Sequence, residues 1–240
     1  MRHKQSRGAM LSRQFAILLV ALCATNLCLS AQSFPSDPNE SRDPRLPSVL
    51  TPLEPQERDA SYRPITSQES FRWFINSTVG LPHRAGGVFV SAFGTALDRP
   101  KEYGPHWVGF ADRYGMRIAC SATGNAMEAG AGLLLREDPR YFRVPDQPFK
   151  TRTGNVVQLT FASRGYDGSF RPAYARYAAS FGNNFLSNTW RVHSEANAQH
   201  ALLCTAGDFA GRMAANAWEE FWPDVKKRVF PMHTHTHKRN

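Results

Sequence analysis

Between residues 66 and 230 apolar side chains recur three and four apart, the spacing of one helix face, and polar clusters separate the runs. Thr66 followed by Glu69 is a capping-box pattern. It opens a run of Phe71, Trp73, Phe74 and Ile75 and predicts a first helix that Gly80 closes. Pro82 suits the start of a second helix over 83–97, stopped by Asp98, Arg99 and Pro100. A long third helix is expected from 106 to about 136, before Glu137, Asp138 and Pro139. Prolines at 139, 145 and 148 mark 137–153 as a loop. Segment 156–162 fits two readings: Val157, Leu159 and Phe161 alternate as in a strand, and a short helix accommodates them too. Residues 172–181 read as a helix broken by Gly182, Asn183 and Asn184, and 193–222 as a second long helix before Pro223.

The fold class expected is all-α: a compact helical bundle of closely packed Gly/Ala-rich helices, with at most a single short β element near 156–162. Its packing code lies in small residues. Ala111, Gly115, Ala122 and Ala126 share a narrow sector of the third helix, and helix two offers Gly87, Ser91 and Thr95. On the last helix Ala206, Ala210 and Ala214 are spaced four apart, as are Gly207, Gly211 and Ala215. Glycine inside a helix costs up to about 1 kcal/mol relative to alanine, so such stripes imply close backbone approach.

The 240 residues are 42% apolar and 20% charged, enough for one sizeable core but not two. The formal charge of +9 changes meaning once located. Arg2, Lys4, Arg7 and Arg13 lie in the first 31 residues, which carry no acid, and Lys226, Lys227, Arg228, Lys238 and Arg239 crowd the tail. The body between is nearly neutral, which argues against a nucleic-acid partner. Residues 1–31 combine a basic start, the apolar run 15–24 and small residues at Ser30 and Ala31, the three parts of a signal peptide. Export to the periplasm or cell envelope is the expectation. Residues 32–65 hold Pro35, Pro38, Pro44, Pro47, Pro52 and Pro55 and read as a disordered linker. The helical domain then occupies 66–230, and 231–240 form a flexible His-bearing basic tail.

The chain lacks a Gly-x-Ser-x-Gly elbow, a His-Glu-x-x-His pair, a phosphate loop and a Cys-x-x-Cys pair. Candidate chemistry therefore rests on two stripes of the long helices. His193, Asn197, His200, Cys204 and Asp208 lie within about 80° of arc on the last one, and Arg113, Arg117, Cys120, Gly124 and Glu128 form a comparable row on the third. Removing the signal peptide leaves Cys120 and Cys204, which in an oxidising compartment either pair or stay buried as separate thiols. Facing stripes would gather Arg113, Arg117, Glu128, His193, His200 and Asp208 into a polar core network, since buried charges need partners. The catalytic version uses His200, Asp208 and Glu128 in a hydrolase of lipid or peptidoglycan. A zinc version would use His200, Cys204, Asp208 and Cys120, and thiols in an oxidising compartment make it fragile. In the tail, His233, His235 and His237 alternate with threonine and could hold a metal transiently. No resident metal or cofactor is expected.

Residues 222–230 mix aromatics with Lys226, Lys227 and Arg228, a composition that suits either an anionic membrane surface or a last helical turn docked through Val225 and Val229. The nearest approach to a spanning segment, 118–135, is interrupted by Asn125 and Glu128. Four stretches, Gly124-Asn125-Ala126-Met127-Glu128, Glu137-Asp138-Pro139-Arg140-Tyr141-Phe142, the run from Asn183 to Arg191 and the run from Asn216 to Pro223, resemble an uncharacterised exported bacterial protein family. The resemblance covers roughly residues 70–230 and carries no activity, cofactor or catalytic residue. The function expected is an exported envelope protein with a structural or binding role, its partner an envelope component or membrane surface. The hydrolase above and a membrane-embedded bundle are the alternatives.

Overall fold

Thr66 caps helix α1 (Ser67–Val79) as its sequence predicts. The Glu69 N–H donates to Thr66 Oγ1 at 3.2 Å, and the Thr66 N–H donates back to Glu69 Oε2 at 2.9 Å. The computed structural model describes Leu53, residues 56–58 and residues 61–229. The expected signal peptide, most of the Pro-rich linker and the tail histidines lie outside these. Helix α2 (Leu81–Ala96) follows at once, with proline in its first turn, and α3 (Trp107–Leu135) ends where Arg136 turns left-handed at φ 54°. Helices α4 (Phe149–Phe161), α5 (Tyr174–Leu186) and α6 (Ala198–Val229) complete the set, with a 3-10 turn at Ser187–Thr189.

The ambiguous segment 156–162 is helical up to Phe161, and its burial explains why. Asn155, Val156, Leu159 and Thr160 are buried while Val157 and Phe161 are exposed, a 3.6-residue period and not the two-residue period of a strand. Gly182, Asn183 and Asn184 do not break α5. The asparagines face inward, and Asn184 Nδ2 donates to the Ser180 carbonyl at 2.9 Å and to Thr205 Oγ1 at 3.3 Å. The last helix starts at Ala198, later than expected, and passes through Pro223.

Strands appear where a loop was expected. Residues β1 (Gln56–Glu57) and β3 (Phe142–Arg143) pair in parallel, with Gln56 opposite Phe142. An antiparallel sheet orders β2 (Glu137–Asp138), β4 (Ala162–Gly165) and β5 (Phe170–Pro172). Among the described residues the fold is therefore mostly helical with two small sheets. Part of the segment read as linker is packed: Ile65 is buried with Trp73 and Ala129, and Leu53 and Tyr62 join the core clusters.

Helix α3 is central, packing against α1, α2 and α5, while α6 packs against α4 and α5. Its cross-links to α5, Glu128 to Arg176, Gly124 to Asn183 and Cys120 to Ser187, run in opposite directions along the two helices, so the pair is antiparallel. Close approach occurs at Gly87 of the expected stripes and at Gly124 and Gly182 outside them, while the expected Gly115 has nothing within 4 Å of a Cβ position. A Cβ on Gly124 would stand 3.0 Å from Asn183 Nδ2, one on Gly182 2.8 Å from Met127 Cε, and one on Gly87 3.2 Å from Tyr114. The α6 stripe is different. Gly207 and Gly211 have nothing within 4 Å of a Cβ position, and Ala206, Ala210 and Ala214 are exposed, so that stripe packs against no described element.

Polarity is partly inverted across the bundle. Among the largest side chains sealed from solvent, Glu220 and Asp138 stand beside Phe142, whereas Phe89 is 72%, Trp107 81% and Leu134 86% exposed. Helix α2 shows the pattern best: it buries Ser91 and turns Val88, Phe89, Val90 and Phe93 outward. Among the described residues no helix is long and apolar enough to cross a membrane.

Candidate functional site

Helix α5 carries one charged residue, Arg176, among thirteen positions. A buried guanidinium must find acceptors, and Arg176 finds them on two elements. Its Nε donates to Glu128 Oε1 on α3 at 2.9 Å, and its Nη1 to the carbonyls of Leu159 and Thr160 at 2.8 and 2.9 Å. The other Glu128 oxygen accepts from Arg212 Nη2 on α6. Burial pushes the Glu128 carboxyl up, but the charges of Arg212 and Arg176 and their hydrogen bonds outweigh it and hold the group below the usual carboxylate range. Arg176 moves downward, its burial outweighing the pull of Glu128.

Two further networks centre on Asp138 and Glu220. Asp138, fully buried at the end of β2, takes Arg140 Nε at 3.0 Å and Nη2 at 2.6 Å, and the Arg140 backbone N–H at 3.0 Å. The Tyr62 hydroxyl donates to the same carboxylate at 3.4 Å, and burial followed by the Asp138 charge raises that phenol. Glu220 on α6 accepts from Arg152 Nε at 2.7 Å, from the Tyr141 hydroxyl at 2.9 Å and from the Val144 N–H at 3.3 Å. Asn155 donates to the Tyr141 oxygen at 2.9 Å and ties α4 into the set. Glu137 receives the Ala175 N–H at 3.0 Å, a carboxylate at the first turn of α5 where the helix dipole favours it. Between the networks, Glu128, Glu137, Asp138 and Arg176 line a cavity of about 10 Å³, room for roughly one water.

The residues singled out from the sequence are dispersed. Glu128 is the only one of the proposed catalytic three in the buried network. Asp208 accepts from Asn184 Nδ2 at 2.7 Å; desolvation raises its carboxyl, against that hydrogen bond and the charges of Arg191 and Arg212. His200 lies roughly 18 Å along α6 from Arg212, at a 1.5 Å rise per residue, and its Nε2 stands 3.9 Å from Glu195. His193 and Arg117 are exposed. Arg113 is buried in a separate place, where Nε and both Nη atoms donate to the carbonyls of Arg99, Gly104 and Pro100 at 2.7–2.9 Å and fix the 97–106 loop. The single network expected from the two stripes is thus several.

The cysteine pairing is also not formed. Both thiols are free and half-buried, with Cys120 Sγ donating to Ser187 Oγ at 3.5 Å and burial raising the Cys204 thiol. Among the described residues no group of three or more His, Cys, Asp or Glu side chains could hold a metal ion, so the proposed His200, Cys204, Asp208 and Cys120 set is not assembled.

The partners that matter most were missed: Arg176, Arg212, Arg152, Glu220 and Asp138. One signal was available. A lone arginine in an otherwise uncharged amphipathic helix has to be buried against an acid, and Arg176 is such a residue. Comparison with protein-family models, with curated proteins and with solved structures finds no match for this chain.

Proposed function

We propose that this chain is an exported cell-envelope helical protein whose role is structural or binding, its charged interior serving to fix helix positions. The observation that carries the reading is the state of Glu128. Both carboxylate oxygens are occupied by arginines, the adjoining cavity has room for about one water, and His200 is engaged elsewhere. A general acid or base must stand within hydrogen-bond reach of a substrate proton, and each oxygen of the Glu128, Asp138 and Glu220 carboxylates already accepts a hydrogen bond from the protein. Apolar side chains on the outside of α2, α5 and α6 supply the binding half of the reading, since large exposed apolar area marks interaction surfaces.

The test is fractionation of cells expressing the full chain, with successive high-salt and carbonate washes of the membranes, beside hydrolysis assays on the purified protein. Envelope recovery without hydrolysis of ester or peptidoglycan substrates is expected. Cytosolic recovery, or turnover lost in His200→Ala, would overturn the proposal.

A further inference from the structure

The last three turns of α6 take no part in the buried networks except through their inner side. At 100° per residue, Glu220 and Asp224 share that inner side, and Arg152 neutralises both, with Nε 2.7 Å from Glu220 and Nη1 2.6 Å from Asp224. Trp218, Trp222 and Val225 span an arc of about 60° on the outside, and Phe221 at its edge is half-buried against the core cluster of Tyr141, Phe142, Val156 and Leu159. Trp218 is 48%, Trp222 37% and Val225 45% exposed, and the two indoles stack at 4.2 Å. Phe149 of α4, 74% exposed, rests on Phe221 at 5.3 Å and widens the aromatic patch. Lys226 and Arg228 are exposed and fall on its two flanks. Glu219 is an exposed carboxylate on the Lys226 flank; desolvation raises its carboxyl against the charges of Arg212 and Arg143. Val225 is 45% exposed, so the docked turn offered by the sequence does not rest on that residue; the Val229 side chain lies outside the described residues.

We propose that this patch is the docking surface for an anionic phospholipid bilayer; the inference rests on the envelope reading and names its partner. The charge arrangement selects that occupant. Glu220 is buried on Arg152 and Asp224 is paired with the same guanidinium, so Lys226 and Arg228 outnumber the exposed Glu219 beside the aromatic surface, which complements lipid phosphates. Tryptophan is the side chain that settles at the boundary between headgroups and acyl chains, its ring apolar and its N–H wet. Phe149, Val225 and the two indoles enter that boundary, with Lys226 and Arg228 on phosphates beside them.

The experiment is co-sedimentation of the purified full chain with vesicles of phosphatidylcholine alone or with about one third phosphatidylglycerol, together with tryptophan emission. Binding to the anionic vesicles, a blue shift and weakening by salt are expected. Replacing Lys226→Gln and Arg228→Gln together should weaken binding about thirtyfold, at roughly a kcal/mol per cation converted to affinity. Trp218→Ser with Trp222→Ser should remove most of the blue shift. Both charge changes are at exposed positions, so circular dichroism should be unaltered and the charge variant decides even if the tryptophan variant misfolds. Equal affinity for neutral vesicles, no binding, indifference to the charge variant, or a self-association that the tryptophan variant abolishes would each overturn it. Envelope recovery without anionic-vesicle binding sinks the docking surface alone; cytosolic recovery sinks the reading beneath it.

Discussion

Glu128 and Arg176, 48 positions apart, meet at 2.9 Å between α3 and α5, and Arg212 of α6 closes the same carboxylate from its other side. One acid thereby fixes three helices relative to one another. A buried carboxylate is tolerated because both oxygens have cationic donors, and removing it leaves two guanidinium groups without compensation. Glu128→Gln is expected to cost about 3–5 kcal/mol of unfolding free energy by urea titration. The pH dependence has a defined sign. The folded-state pKa lies below the ordinary 4.5, so this stabilisation is complete above about pH 4.5 and fades as the pH falls through the lower folded value. Unfolding curves measured from pH 7 to pH 2 should show the loss in the parent protein and a flatter profile in the variant.

Asp208 has the opposite sign. Desolvation raises its carboxyl, so the protonated form is the one the fold prefers; its contribution is full below the ordinary 3.8 and is lost as the pH rises through the raised value. Asp208→Asn keeps an acceptor for Asn184 and removes the charge. Thermal unfolding at pH 7 should move upward, by less than about 1 kcal/mol, and the gain should vanish near pH 3.

The Glu220 cluster is expected to be as brittle as that of Glu128. Tyr141→Phe deletes one donor to a carboxylate that keeps Arg152 and the Val144 N–H, and should cost about 1–3 kcal/mol. Glu220→Ala leaves Arg152 on Asp224 but takes the acceptor from its Nε, from the Tyr141 hydroxyl and from the Val144 N–H, and should cost about 3–5 kcal/mol, measured in the same denaturant series.

Free thiols at Cys120 and Cys204 predict that a double serine variant loses no more than about 1 kcal/mol. A disulfide closing that loop would instead contribute about 4–5 kcal/mol in the chain-entropy model. Denaturation of the two proteins with and without reductant separates the cases. The raised Cys204 thiol should also react slowly with iodoacetamide at pH 8 until the chain is unfolded.

Glycines on the outer face of α6 give a test that distinguishes packing from exposure. Gly207→Ala and Gly211→Ala place a methyl in open space and should each stabilise the purified protein by up to about 1 kcal/mol. Gly109→Ala, whose methyl would stand 2.2 Å from the Gly104 carbonyl oxygen, should destabilise it clearly. The same thermal-melt series reads all three.

What the residues alone determined were the local decisions. Thr66 and Glu69 specify a helix start, Pro82 another, and the helical period over 106–136 gives α3 within a residue at each end, because caps and periodicity act over a few neighbours. The tertiary structure decided what required distant partners. Arg176 can be recognised as buried but not as the partner of Glu128, and Asp138 gives no hint of Tyr62, because an ion pair across a fold has no sequence spacing. Val157, Leu159 and Phe161 alternate perfectly well, yet packing against α6 selects the helical face of Val156 and Leu159. The glycine stripes read alike in sequence, and the neighbours that arrive in three dimensions separate Gly87, whose Cβ would stand 3.2 Å from Tyr114, from Gly207, with nothing within 4 Å of a Cβ. The His200, Asp208 and Glu128 cluster failed for the same reason: sharing a helix face sets direction, while a site also needs its members at one height along the bundle.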